Sequence, residues 1–229
     1  MDDWERWVKL WRELGAKPAD RAVFEQLLER YTEPWRAYHT MQHVRDCLRH
    51  LDTVRHLAQC PAEIELALWF HDAVYGEKPL GAFPLGISPA LCAGEMHDTH
   101  RSDNEELSAR WAYQHSLDQD LPEAVAQRVH DLILATKHDA PLLSSEAALL
   151  TDIDLAILGQ PEAEFDLYEA RIRQEYNWVP EMAFCEGRAK ILEGFLQRDS
   201  IYRTEHFRGL YERQARFNLE RSLRSLKLS

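Results

Sequence analysis

Glycine and proline are scarce in this sequence, nine and ten residues out of 229, which excludes a collagenous, low-complexity or wholly disordered chain. The four cysteines, Cys47, Cys60, Cys92 and Cys185, are scattered and form no CxxC pair. Zinc-ribbon and thioredoxin-like readings therefore lack support, and reduced thiols in a cytoplasmic protein are the simple account. Uninterrupted apolar runs such as Ala67–Phe70 and Leu155–Leu158 stop after a few residues, far short of the roughly 20 that a membrane span needs. The opening Met1-Asp2-Asp3-Trp4-Glu5 is acidic and has no apolar core, so no signal peptide is expected. Basic charge is in deficit, with 27 Lys and Arg against 39 Asp and Glu, and the net charge of −12 repels polyanions. Duplex nucleic acid is not an expected partner. No alternating strand pattern of useful length occurs, and there is no internal repeat.

Helical periodicity fills most of what is present, and at this length one sizeable core is the default reading. Trp4, Trp7, Val8, Trp11 and Leu14 share a face that stops at Gly15-Ala-Lys-Pro18. A second helix is predicted from about Asp20 to Tyr31, before Pro34. A third carries Val44, Cys47, Leu48, Leu51, Val54 and Ala58 as a broad apolar stripe and ends at Pro61. A fourth is predicted from Ala62 to Tyr75, burying Leu66, Phe70, Ala73 and Val74. Helical signal resumes at Ser102 or Asp103, and further helices are expected near 122–138, 144–158, 161–176, 180–198 and 204–226. Asp103 with Glu106 three residues on reads as a capping box. The basic stretch from Arg208 to Lys227 reads as a solvated helix face. The expectation is an all-α, single-domain bundle over residues 1–229.

Between Gly76 and Arg101 the pattern dissolves into a long loop punctuated by Pro79, Gly81, Pro84, Gly86, Pro89 and Gly94. Loops this long inside a compact domain are either functional or mobile, and a lid and an ornament on the outer surface are the two readings here. Phe83, Leu85, Ile87, Leu91 and Met96 make this one apolar enough to cover a cleft, while His97 and His100 read as surface residues.

Eleven histidines are many for a chain of this size, and three apolar helices are interrupted by metal-type ligands. His71-Asp72 ends Leu66-Ala-Leu-Trp-Phe-His-Asp-Ala-Val-Tyr75, where an inward His and Asp would be costly unless paired or bound to metal. His43 sits one turn before Cys47 on the preceding helix. Asp152 and Asp154 break up Leu149-Leu-Thr-Asp-Ile-Asp-Leu-Ala-Ile-Leu158. Two imidazoles and two carboxylates make a mixed N/O site suited to a divalent transition metal.

In this order and context, His43, His71-Asp72 and Asp154 resemble the HD superfamily, with a His on one helix, an HD doublet on the next and a distal Asp. Tyr38-His-Thr-Met-Gln-His43-Val, Trp69-Phe-His-Asp-Ala-Val-Tyr75, Asp103-Asn-Glu-Glu-Leu-Ser-Ala109 and Asp152-Ile-Asp-Leu-Ala-Ile-Leu-Gly159 are similar to a subfamily of predicted metal-dependent HD phosphohydrolases. Arg171-Ile-Arg-Gln-Glu-Tyr176 and Gly187-Arg-Ala-Lys-Ile-Leu192 fit as well, so the resemblance covers nearly the whole chain. Two departures stand out. Members pass from the HD helix to the Asp-Asn-Glu segment through a short link where this chain inserts residues 76–101, and no HDxGH extension follows Asp72.

The resemblance implies an HD-type helical bundle holding a divalent ion (Mn, Fe, Co, Ni, Mg or Zn) on His43, His71, Asp72 and Asp154. It implies hydrolysis of a phosphoester, a nucleotide or related small molecule, by metal-activated water. His138 resembles the position that some HD proteins use for substrate or a second metal. From the residues themselves, Asp72 is expected to accept the water's proton, and Glu105 is a candidate acid or base. His39 is expected behind the ligands or on the substrate side, and Arg45 and Lys137 either hold a phosphate or form surface salt bridges. Asp154, rather than Asp152, takes the distal position. A non-catalytic metal-dependent nucleotide- or phosphate-binding protein of the same fold is the alternative, and a helical scaffold stapled by metal is a third reading.

Overall fold

The computed structural model describes residues 1–76, 101–138 and 144–227, with residues 101–103 as backbone only. The 76–101 insertion, with its apolar residues, Cys92, His97 and His100, lies outside the described residues apart from its two end positions. Among the described residues every regular element is helical: α1 (Asp3–Glu13), α2 (Arg21–Tyr31), α3 (Met41–Val54), α4 (Pro61–Phe70), α5 (Arg101–Asp118), α6 (Glu123–Leu134), α7 (Ser145–Asp154), α8 (Glu162–Glu175), α9 (Glu181–Leu196) and α10 (Glu205–Leu226). Short 3-10 turns follow α3, α6 and α7. No described helix is long and apolar enough to cross a membrane. The chain forms two compact units, residues 1–30 with 62–140 and residues 31–61 with 141–229.

In the first unit α1 starts on a capping box in which Asp2 and Glu5 exchange side-chain-to-backbone hydrogen bonds. Its buried Trp7 and Trp11 meet Phe24, Trp69, Phe70 and His115 in a nest of edge-on and tilted rings. Such pairs add about 0.5–1.5 kcal/mol each beyond area burial. α4 is buried on all sides from Glu63 to Phe70. Its two carboxylates survive there because each is paired: Arg128 grips Glu63 with two hydrogen bonds of 2.8 and 2.7 Å, and Arg6 meets Glu65 at 2.8 Å.

α4 ends at Phe70, five residues short of the expected Tyr75. The His71 N–H still reaches back to the Ala67 carbonyl at 2.8 Å, but Ala73 bonds to Phe70 in a tighter turn and the Val74 N–H goes to the Ser108 hydroxyl at 3.0 Å. A tertiary acceptor on α5 thus takes the donor that would have continued the helix. α5 begins at Arg101, so Asp103 lies inside its first turn rather than at the expected N-cap.

In the second unit α3 packs on α7, and α10 packs on α9 and on the turn at 155–159. Asn218, fully buried on α10, donates to the Leu158 and Gln160 carbonyls, and the Tyr202 hydroxyl donates to Leu155. Gly159 is required by this closeness, since a Cβ there would stand 2.4 Å from Tyr211 Cβ.

Candidate metal centre

Thr40 caps α3 by accepting from the Gln42 N–H, and the first turn then carries His43 on the buried side with Val44, Cys47, Leu48 and Leu51. Asp154 is the last residue of α7, and its Oδ1 lies 3.1 Å from His43 Nε2. That separation is what two neighbouring ligands with metal bonds of about 2.1 Å subtend near a right angle. Ligand atoms of His43, Cys47 and Asp154 all lie within 4.8 Å of one another, and the group could hold a metal ion.

Cys47 was read from sequence only as a core residue. Its Sγ is 3.7 Å from His43 Nε2 and 3.8 Å from Nδ1. An ion on Nε2 lies along the in-plane lone pair, so a sulfur sharing it would stand about 5 Å from Nδ1. The nearly equal distances put the sulfur beside the ring, as packing. The nitrogen and the carboxylate oxygen are therefore the pair that fits a divalent cation.

Asp152 has a different occupation. Fully buried, it accepts from the Arg203 N–H, the Thr204 N–H and the Thr204 hydroxyl, all at 2.7 Å. Burial pushes its carboxyl up from the ordinary aspartate value, against the pull of those donors. Two residues apart on a helix means about 200° of rotation, so one carboxylate ties α7 to the start of α10 while the other meets His43.

His39 precedes the α3 cap in a turn held from both sides. The Arg36 guanidinium donates to the His39 carbonyl at 2.9 Å, and Glu175 Oε1 accepts the N–H groups of Ala37, Tyr38 and His39 at 2.8, 2.8 and 2.9 Å. The second oxygen of Glu175 meets His39 Nδ1 at 2.6 Å. Burial would raise this carboxyl, but the His39 imidazole and the backbone donors outweigh it and hold it below the ordinary glutamate value. An ionised carboxylate only accepts, so His39 carries its proton on Nδ1 and presents Nε2 as the second reactive nitrogen. The His39 and His43 rings stand 6.0 Å apart, with Tyr38 packed against both and against Tyr168. Buried Arg188 fixes Tyr168 through its hydroxyl at 2.9 Å.

His71 and Asp72 belong to the first unit, directly after α4. His71 is buried and counts among the groups that could hold a metal ion. Its Nδ1 lies 2.9 Å from the Leu68 carbonyl, which can only accept, so Nδ1 bears a proton. Its Nε2 then faces Asp72 Oδ2 at 3.0 Å. A neutral imidazole there would set one lone pair against another, so this contact requires either a second proton or a cation on Nε2. A backbone carbonyl on Nδ1 is also the usual way a metal-ligating histidine is oriented.

Arg45 is on the exposed side of α3. Glu105 is half-buried near the start of α5, and Lys137 and His138 end the turn after α6, with His138 in the left-handed region at φ 60°. Glu175 is the residue that sequence reasoning missed. It falls inside the Arg171–Tyr176 stretch, but nothing in its local pattern separates it from a solvated helix glutamate. Compared with family models, with curated proteins and with solved structures, the chain finds no match.

Proposed function

We propose that this chain is a metal-dependent phosphohydrolase of the HD type, binding a divalent cation through His43, His71, Asp72 and Asp154. The observation that carries the reading is His71, whose Nδ1 is committed to the Leu68 carbonyl while Nε2 faces the Asp72 carboxylate at 3.0 Å. His43 Nε2 against Asp154 Oδ1 at 3.1 Å repeats the same nitrogen–carboxylate pairing. The two pairs supply the mixed N/O donors that suit Mn, Fe, Co, Ni, Mg or Zn. When bound, such a cation would lower the pKa of a coordinated water toward neutrality and attract a phosphoryl oxygen.

The chain's own groups supply the rest. Asp72 is the group to accept a proton from the attacking water, with Glu105 as a second acid–base residue. His39, its ring fixed through Nδ1 by Glu175, offers Nε2 as a proton acceptor, and donates to a phosphoryl oxygen only once that nitrogen is protonated. Lys137 and His138 offer charge and hydrogen bonds to phosphate, and Arg45, on the exposed side of α3, adds positive charge. The resemblance to HD proteins makes a small phosphorylated molecule such as a nucleotide the substrate class; no described residue set selects a base.

The test is metal analysis of the purified protein with a phosphatase screen over nucleotides in added Mn²⁺, Co²⁺, Ni²⁺ and Mg²⁺. The expected result is about one ion per chain and metal-dependent phosphate release. Ion binding with ligand affinity but no turnover would favour the non-catalytic binder. Stability that depends on metal while no phosphorylated ligand binds would favour the staple.

A further inference from the structure

The stretch between α9 and α10, residues 197–204, is pinned from three directions. Glu212 on α10 accepts the N–H groups of Ile201 and Tyr202 and the Ser200 hydroxyl, at 3.0 to 3.2 Å. Arg216, one turn further along, donates to the carbonyls of Leu196, Arg198 and Asp199 at 2.8 to 3.1 Å. Asp152 on α7 takes the N–H groups of Arg203 and Thr204. Glu212 and Asp152 are thus spent on the backbone of this turn, which is hydrogen-bonded along its length without any ligand.

Out of this frame three guanidinium groups, Arg198, Arg203 and Arg208, line one open cavity of about 420 Å³, with Asp199 as the only carboxylate in its wall. Arg198 packs its guanidinium over Phe195, and the Arg203 charge beside it adds to burial in lowering its pKa. Among the described residues neither Arg203 nor Arg208 makes a salt bridge, although the chain carries twelve more negative than positive charges. Like charges gathered around one turn repel one another, and an anion that fits between them relieves that repulsion. A guanidinium presents a planar fork of donors that matches phosphate geometry. Three of them around a space larger than one phosphate call for more than one phosphate group. We propose that the cleft between α9 and α10 binds a small oligophosphate at a site separate from the metal-binding residues.

The experiment is calorimetric titration of the full-length, EDTA-dialysed protein with inorganic triphosphate at low ionic strength. Metal-free protein keeps the outcome independent of the proposed hydrolase centre. One triphosphate should bind per chain, and Arg203→Ala with Arg208→Ala should weaken it at least about tenfold, the cost of losing charge-assisted contacts. Both side chains are exposed, so the fold is retained, and circular dichroism checks this. Arg224→Ala, an exposed arginine outside the cleft, should leave affinity unchanged. Equal affinity in the double variant and the parent, or no binding to the parent, overturns the site. Citrate binding as tightly as triphosphate overturns the assignment to phosphate.

Discussion

Replacing Glu175 separates a positioning carboxylate from an ordinary buried one. Glu175 is 5% exposed and gathers four hydrogen bonds, three from consecutive backbone N–H groups and one from His39 Nδ1. Glu175→Ala strands three part-buried donors at about 1–3 kcal/mol each, and after relaxation and water entry a net loss of about 3–5 kcal/mol is expected. Glu175→Gln is more telling. Its amide oxygen can still serve the backbone donors, but its NH₂ now faces His39 Nδ1, which must become an acceptor. The proton should move to Nε2, at a stability cost of about 1–2 kcal/mol for the lost charge-assisted bonds. Urea unfolding measures the stability, and ¹⁵N shifts of labelled histidine report the tautomer. A Glu175 whose folded pKa lies below the unfolded one binds its proton more weakly when folded. Its contribution is therefore complete above the ordinary glutamate range and fades as pH falls through the depressed value. Wild-type stability in Glu175→Ala, or an unchanged His39 tautomer in Glu175→Gln, refutes the reasoning.

The two α7 aspartates should divide by phenotype: Asp154→Asn lowers metal content with little change in urea midpoint, while Asp152→Asn, losing charge-assisted bonds to Arg203 and Thr204, costs about 2–3 kcal/mol. A larger metal loss in Asp152→Asn would show that the wrong carboxylate has been chosen. Gly159→Ala should destabilise by about 1–3 kcal/mol, because its methyl would sit 2.4 Å from Tyr211 Cβ on a packed helix; thermal unfolding reads this, and a neutral result would mean that α10 can shift away. His71→Ala and Asp72→Ala should each abolish metal binding while the protein stays helical by circular dichroism, and full metal stoichiometry in either would sink the four-ligand assignment.

The helices were legible because their apolar residues recur at three- and four-residue steps. α9 illustrates this: it is expected at 180–198 and observed from Glu181 to Leu196. Ends decided by tertiary contacts were not. The end of α4 depends on the Ser108 hydroxyl, 34 residues beyond Val74. The ligand types of the candidate centre could be read because histidines and aspartates interrupt apolar helices where burial makes them costly. Helix geometry could also say that Asp152 and Asp154 do not point the same way. What no local pattern carried is the link from Glu175 to residues 37–39, separated by up to 138 positions. Nor could it show that Cys47, one turn from His43 and of ligand type, puts its sulfur beside the ring rather than on the lone-pair axis.

The arrangement of protons fixes which ring nitrogen each histidine offers. A structural metal is best served by a closed ligand set, and a core histidine needs only satisfied nitrogens, whichever tautomer provides them. Here two histidines have the tautomer dictated from behind. His71 gives Nδ1–H to a main-chain carbonyl, and His39 gives it to a carboxylate that also organises three backbone N–H groups. The cost of burying Glu175 is offset by its four hydrogen bonds, one of which sets the His39 tautomer. For His71 the partner is a carboxylate that a neutral ring cannot donate to, so Nε2 there carries a second proton or a cation. His39 keeps part of its ring exposed beside His43. The nitrogen that each histidine offers to a ligand is therefore set by a partner on the far side of its ring and not by the ligand itself.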